Sequence, residues 1–347
     1  PVIDVPKRPA WDSRMSADEV ESGEERMFKV WLEGVYREHA RESLNFFEHN
    51  IQVWRQVWRA LERSDIALII LDARCPLFHF PHALWRHITA DMGRDAVIVL
   101  NKCDLVPLEA VSAWVRHFEG MLGGGVRVVP FTAPRSTSGR VGQPSVPLLL
   151  EAIKRCRVRR AGKEVCSADE WFLSDSSGGK VCNKGREALT VCLVGDPNMG
   201  KSSVMNSIFG QKMVSSSRTP GHTKHIQTHF LTQSVCFCDS PGIVSPQTGV
   251  PKSYQALFGS YPIAQLREPY SAVRHIAEAC QPPLQDLYRL DAPEGGVWSP
   301  IVLCERLAVK KGMVSKGGRP DTYRAANMLL REALSGGKIC MCYGPPG

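Results

Sequence analysis

Apolar residues fall along this chain in two rhythms. Short continuous runs recur at "IALIILDA", "DAVIVLNK", "VRVVPFTA", "LTVCLVG", "IQTHFL" and "SVCFCD", each about the length of a strand covered on both faces. Most are separated by stretches long enough for crossover helices, so the pattern predicts an α/β fold with a doubly wound, mostly parallel sheet. Elsewhere the spacing is helical. Phe47, Ile51, Trp54, Trp58 and Leu61 follow at intervals of four, three, four and three, one face of a helix that packs as core, with Arg55, Arg59 and Arg63 recurring beside it as a solvated face.

Helical periodicity begins at Glu24, after a polar, Pro-containing start. The expected organisation is a flexible segment over residues 1–23, an α/β domain over 24–250 and a mainly helical C-terminal domain over 251–347. Inside the α/β domain the basic "KRCRVRRAGK" and the Ser/Gly-rich "SDSSGGK" read as a flexible linker at about 154–187, with a nucleic-acid contact as the alternative. Near the end, "PDTYRAANMLLREALSGGK" predicts a helix capped by Asp321 and stopped at Gly336.

Composition narrows the class. With 43% hydrophobic and 22% charged residues, the chain can bury a full core and reads as a soluble globular protein. Its longest aliphatic stretch, Ile66 to Leu71, is far too short to cross a bilayer, and no signal pattern opens the chain, so no membrane association is expected. The start at Pro1 rather than Met suggests a fragment. A net charge of +8 favours an acidic partner such as RNA without requiring one. The twelve cysteines are irregularly placed, several inside apolar runs, and none shows the C-x2-C spacing of a zinc site. They read as small core residues of a protein kept in a reducing, intracellular compartment.

The strand-like runs end in chemistry. "GDPNMGKS" places Gly195, Gly200, Lys201 and Ser202 in the pattern of a phosphate-binding loop, after an apolar run and before a helix-like stretch. Backbone N–H groups of Gly195, Asp196, Asn198, Met199, Gly200, Lys201, Ser202 and Ser203, in a loop that also contains Pro197, therefore frame a polyphosphate site, Lys201 reaches the β and γ phosphates, and Ser202 offers its hydroxyl to Mg2+. "DSPG" closes a later run, so Asp239 falls near Mg2+ and the N–H of Gly242 near a γ-phosphate, with Ser240 and Pro241 between them. The intervening "TPGHTKH" supplies Thr223 as the γ-phosphate and metal sensor, Thr219 being the fallback. "NKCD" ends another run: Asp104 can accept hydrogen bonds from guanine N1 and N2, Lys102 lies along the base, and Asn101 ties down the loop that includes Cys103. "FTA" brings the backbone of Thr132 and Ala133 to guanine O6.

The base-reading box stands before the phosphate loop, the reverse of the usual order. All five elements nevertheless lie at the carboxyl ends of strand-like runs, where doubly wound sheets bind ligands, and a cut after "DSPG" produces this order by circular permutation. With "FFEHNIQVWRQVWRALERSDIALIILDAR", "VLNKCDL", "GDPNMGKSS", "SSSRTPGHTKHIQTHFLT", "CDSPGIV" and "YPIAQLREPYSAV", the sequence resembles the circularly permuted GTPases of ribosome assembly over most of its length. That resemblance implies a P-loop GTPase fold, GTP hydrolysis to GDP with Mg2+, and transient binding to a large-subunit precursor and its rRNA, as a monomer, in the nucleus, nucleolus or cytoplasm. The position after "DSPG", where many GTPases carry a water-orienting Gln, is Ile243, which cannot hydrogen-bond through its side chain. Asn198 resembles the ligand by which related GTPases hold K+, the expected second cation, and His222 is the other candidate for positioning water. The rival reading is a nucleotide-gated RNA- or protein-binding module with negligible hydrolysis unless its partner is present.

Overall fold

Eight strands form two sheets in the computed structural model, which describes residues 2–133, 145–160, 165–176, 188–213 and 227–346. They are β1 (Ile66–Asp72), β2 (Asp95–Asn101), β3 (Arg127–Pro130), β4 (Arg157–Val158), β5 (Cys166–Ser167), β6 (Leu189–Val194), β7 (Gln227–Phe230) and β8 (Val235–Asp239). The main sheet has the order β3-β2-β1-β6-β8-β7, parallel throughout except for the antiparallel edge pair β7–β8. The fold is that of a P-loop GTPase whose elements have been circularly permuted. Strands β1 and β2 read as unbroken apolar runs because both faces are covered. Ala67, Ile69, Leu71, Ile98 and Leu100 pack with Trp54, Trp58, Trp114 and Phe118 on one side, whereas Ile66, Leu68, Ile70, Val97 and Val99 pack with Leu149, Val204 and Met205 on the other.

Strand order reverses at the parallel β1–β6 pair: from β1 the chain moves outward to β2 and β3, and from β6 it moves the other way. That is the switch point at which such sheets leave a crevice. The register sets Asp72 opposite Asn101, and Leu193 opposite Asp239, so four strand ends converge there.

The beginning of the chain is more ordered than its polar composition suggests. Ile3 and Val5 are buried, and the indole N–H groups of Trp31 and Trp58 donate to Asp4 O and Pro6 O, both at 2.8 Å. A buried indole needs an acceptor, and this segment supplies two. The first helix starts at Ala17, not Glu24, because Ser16 and Glu19 form a reciprocal capping box. Helix Ile51–Arg63 buries Trp54, Trp58 and Leu61, whereas Phe47 joins the core from ahead of the Asn50 cap. Arg55 departs from the solvated face expected of it. It is buried, and its Nε pairs at 2.7 Å with Glu24, whose other oxygen takes Arg8 Nε at 2.7 Å.

The segment expected to be a flexible linker is partly built as well. Helix Ser145–Lys154 leads into the small β4–β5 pair and then helix Asp169–Ser176. Its arginines meet carboxylates, Arg159 with Asp95 at 3.1 Å and Arg160 with Asp65 at 2.6 Å, so those two charges hold the domain's own strand starts.

The chain divides into two compact units, Pro1–Gly249 with Gly344–Gly347, and Val250–Tyr343. In the second, helices Lys252–Phe258, Tyr270–Ala279, Pro300–Lys311 and Thr322–Ser335 enclose a core that includes Val273, Ile276, Leu307 and Leu329. Asp321 caps the last of them by accepting from Arg324 N at 2.9 Å, and Gly336 ends it in a left-handed conformation. Among the described residues no helix is long and apolar enough to cross a membrane.

Candidate functional site

Strand β6 delivers the chain to Gly195, and the loop that follows closes on helix Lys201–Phe209. Gly200 has a φ of 93°, and a Cβ there would overlap the Asn101 amide, so the phosphate loop and the end of β2 approach as closely as glycine allows. Asn101 Nδ2 donates to Met199 O at 2.8 Å, and Lys102 Nζ donates to Asn198 O at 2.8 Å. Both Lys102 and Asn198 hold positive φ. Residues distant in sequence thus form one construction, in which the "NKCD" turn is fastened to loop carbonyls.

Around that junction the other predicted residues take their places. Asp104 is exposed in the short turn Cys103–Leu105. The backbone bond from Cys103 N to Phe131 O, 3.1 Å, sets the "FTA" segment beside this turn, and Thr132 N donates to Ser145 Oγ at 3.3 Å. On the phosphate side, Lys201 is buried and its ammonium donates to Gly195 O at 2.9 Å and Asp196 O at 2.8 Å. Burial pushes its pKa down to about 8, against the opposing pull of Asp239 and Asp196.

Ser202 Oγ donates to Asp239 Oδ2 at 2.7 Å. Burial raises the Asp239 carboxyl pKa, despite the nearby Lys201 charge, and its Oδ1 is buried with no hydrogen-bond partner among the described residues. A buried carboxylate oxygen without a donor, beside a hydroxyl, fits a hard divalent cation such as Mg2+. Gly242 lies against the loop, where a Cβ would meet Pro197 Cα at 2.8 Å. Ser240 points elsewhere: its hydroxyl is bonded to Leu193 O at 2.6 Å and its role is local to the sheet. Ser203 sits in the first turn of helix Lys201–Phe209, where its carbonyl accepts from Ser207 Oγ at 2.8 Å. Ile243 is buried in the core, and its N–H donates to Gly195 O at 3.2 Å. Thr219, His222 and Thr223 lie outside the described residues.

Sequence reasoning missed three residues at and just beyond the end of β1: Asp72, Arg74 and His79. Asp72, 1% exposed, accepts from Lys102 Nζ at 2.7 Å and from Arg74 Nη2 at 2.7 Å. Burial opposes its ionisation, but the Lys102 and Arg74 charges outweigh that and hold its carboxyl far below the usual range. Buried His79 contacts Asp196 of the loop, Nδ1 to Oδ2, at 3.1 Å. The available signal was charge at the carboxyl end of an otherwise aliphatic strand, "IALIILDAR", a position where parallel sheets carry sites.

The chain is similar to known proteins. The family model described as 50S ribosome-binding GTPase matches residues 190–282. Guanine nucleotide-binding protein-like 1 of Rattus norvegicus and of Homo sapiens are each 37% identical over an alignment of 402 residues, which takes in all of this chain and 65% of the relative. GTPase LSG1-1 of Arabidopsis thaliana is 28% identical, across 96% of this chain and 66% of its own length. The chain therefore spans about two thirds of these relatives. Among solved structures, GNP-bound YlqF from T. maritima superposes with a TM-score of 0.51 at 21% identity, covering 84% of this chain and 97% of that one; a GDP-bound YlqF structure gives 0.52 at the same identity, covering 84% and 99%. The fold is that of the circularly permuted P-loop GTPases, and the similarity to these relatives runs the whole length of the chain.

Proposed function

We propose that the protein binds GTP and hydrolyses it to GDP and phosphate, slowly by itself, while acting on a precursor of the large ribosomal subunit. The observation that carries this reading is the junction of base box and phosphate loop, where Asn101 and Lys102 hold Met199 and Asn198 by their carbonyls. One ligand with a guanine at one end and phosphates at the other matches it. Asp104 takes the guanine N1 and N2 donors, and the backbone at Thr132 and Ala133 faces O6. The loop N–H groups and Lys201 hold the β and γ phosphates. Ser202 and Asp239, with Thr223, would hold Mg2+, which would offset charge on the phosphate oxygens.

In hydrolysis a water oxygen bonds to the γ-phosphorus as the bond to the β–γ bridging oxygen breaks, with the N–H of Gly242 directed at the γ-phosphate. Ile243 is packed into the core, so no side chain at that position orients the water. That work falls to His222 or to a group supplied by the particle, while Asn198 would hold a K+ ion that would offset charge developing on the phosphates, and it is why the unassisted rate is slow. The ribosomal partner rests on the 50S description of the matching family model and on the net charge of +8, which suits rRNA.

Single-turnover cleavage of GTP, measured with and without precursor and mature large subunits, tests the proposal. Cleavage accelerated by the precursor supports it. Tight guanine nucleotide binding with no cleavage under either condition would replace it by a nucleotide-gated binding module.

A further inference from the structure

The geometry points to Asp72 as a positioning residue of the nucleotide site, one that acts through Lys102. This rests on the guanine-nucleotide reading above and adds a part that the recognisable motifs do not contain. Strand β1 lies between β2, which carries the base box, and β6, which carries the phosphate loop, so the segment leaving β1 is the one that can touch both. It does so with charge. Asp72 Oδ2 holds Lys102 Nζ at 2.7 Å, and seven residues on, His79 Nδ1 contacts Asp196 Oδ2 at 3.1 Å.

A lysine side chain loses much rotamer freedom when it is held, so an ammonium is not fixed by one neutral carbonyl that water could replace. Lys102 has a second, charged acceptor in Asp72, and this bond forms where the carboxylate is cut off from solvent. Asp72 is itself held on both oxygens: Oδ1 accepts from Arg74 Nε at 3.0 Å and Arg74 N at 3.1 Å, and Oδ2 accepts from Arg74 Nη2. Arg74 orients Asp72, Asp72 orients Lys102, and Lys102 spans from the base-reading turn to Asn198 O. The spacing between the base subsite and the phosphate subsite is set by this chain of contacts.

The contact joins the base box to the phosphate loop, the parts that GDP and GTP share, so its loss weakens both alike. Removing uniform binding raises KM and leaves kcat unchanged. Asp72→Asn should weaken both nucleotides by roughly ten- to a hundredfold, the range for a lost hydrogen bond to a charged group. Lys102→Met should do the same, and the double variant should be no worse than the poorer single one.

The test is the set of dissociation constants for GDP and a non-hydrolysable GTP analogue across wild type, both single variants and the double, with steady-state KM and kcat of each. Losses that multiply in the double variant, or a fall in kcat at unchanged KM, overturn the assignment. If Asp72→Asn alone does not fold, the double variant still decides: recovery of a cooperative melt when Lys102 is also removed supports the coupling, and no recovery shows that Asp72 serves Arg74 and the strand instead. Wild-type protein that binds neither nucleotide would overturn the functional reading itself, and this inference with it.

Discussion

Contiguous motifs are legible because their physics is local, and the side chains that read the base follow that rule. The residues of "GDPNMGKS" and "NKCD" announce themselves, since glycine at a close approach and a carboxylate beside a lysine are needed at fixed offsets. Asp72 and His79 are not announced in this way, because what matters about them is the partner across space, 30 residues away for Lys102 and 117 for Asp196. Ser240 shows the converse: it stands within a motif, yet its hydroxyl serves the sheet. Two residue-level predictions follow from the assigned roles. Asp104→Asn presents an amide donor where guanine also donates and xanthine accepts, so preference should pass from GTP to xanthosine triphosphate, each mismatched pair costing roughly 1–3 kcal/mol. A variant that binds GTP as tightly as its parent would remove Asp104 from the base site. Asn198, whose carbonyl is fixed by Lys102, is the proposed K+ ligand, so hydrolysis should run faster in K+ than in Na+ at matched ionic strength, and Asn198→Ala should erase the difference. Equal wild-type rates in the two salts, in protein shown to bind GTP, would pass the task to His222 or to the particle.

At the level of elements, the runs of β1, β2, β6 and β8 were readable because a strand buried on both faces has few polar interruptions to obscure it. The helices were harder at their beginnings. Periodicity locates the buried stripe but not the cap, and the Ser16–Glu19 box that starts the first helix lies in a stretch whose polarity suggests a loose tail. Arg55 was misread for a related reason: helical spacing cannot tell a solvated arginine from one whose carboxylate comes from another helix. Glu24 sits between Arg8 and Arg55 with both of its oxygens bonded, and breaking a buried pair costs about 3–5 kcal/mol because a charge is stranded. Here each arginine keeps a second acidic neighbour, Arg8 with Glu62 and Arg55 with Glu25. Glu24→Gln should therefore destabilise the fold by about 3 kcal/mol, at the low end of that range. Urea unfolding would show it as a lower midpoint at unchanged slope. A loss under about 1 kcal/mol would mean that this triad is close to neutral for stability.

Over the whole molecule, chain order is where sequence and space disagree most, and the permutation was readable because the base box, "FTA", the phosphate loop and "DSPG" each stand at the end of a strand. What order could not reveal is what the cut does to the switch. In this chain the residues after "DSPG" run along Ser43–Glu48 as an antiparallel strap: Asn45 N donates to Gln247 O at 2.9 Å, Glu48 N to Val244 O at 3.1 Å and Gly249 N to Ser43 O at 2.9 Å. The Asn45 side chain adds bonds to Ser245 O at 3.0 Å and from Gln247 N at 2.9 Å. One end of the strap is anchored to the phosphate loop through Ile243 N and Gly195 O, next to the Gly242 N–H assigned to the γ-phosphate. A shift of Gly242 toward that phosphate must stretch or release the strap, since its backbone bonds have little slack, and the strap continues into the unit that begins at Val250. Hydrogen exchange at the amides of Asn45, Glu48, Gln247 and Gly249 should therefore differ between the GDP state and a state with a non-hydrolysable GTP analogue. Asn45→Ala, which removes the two side-chain bonds, should speed exchange in both states and narrow the gap between them. Protection that is identical with the two nucleotides would show that the γ-phosphate signal stops at Gly242, leaving the strap a fixed part of the fold.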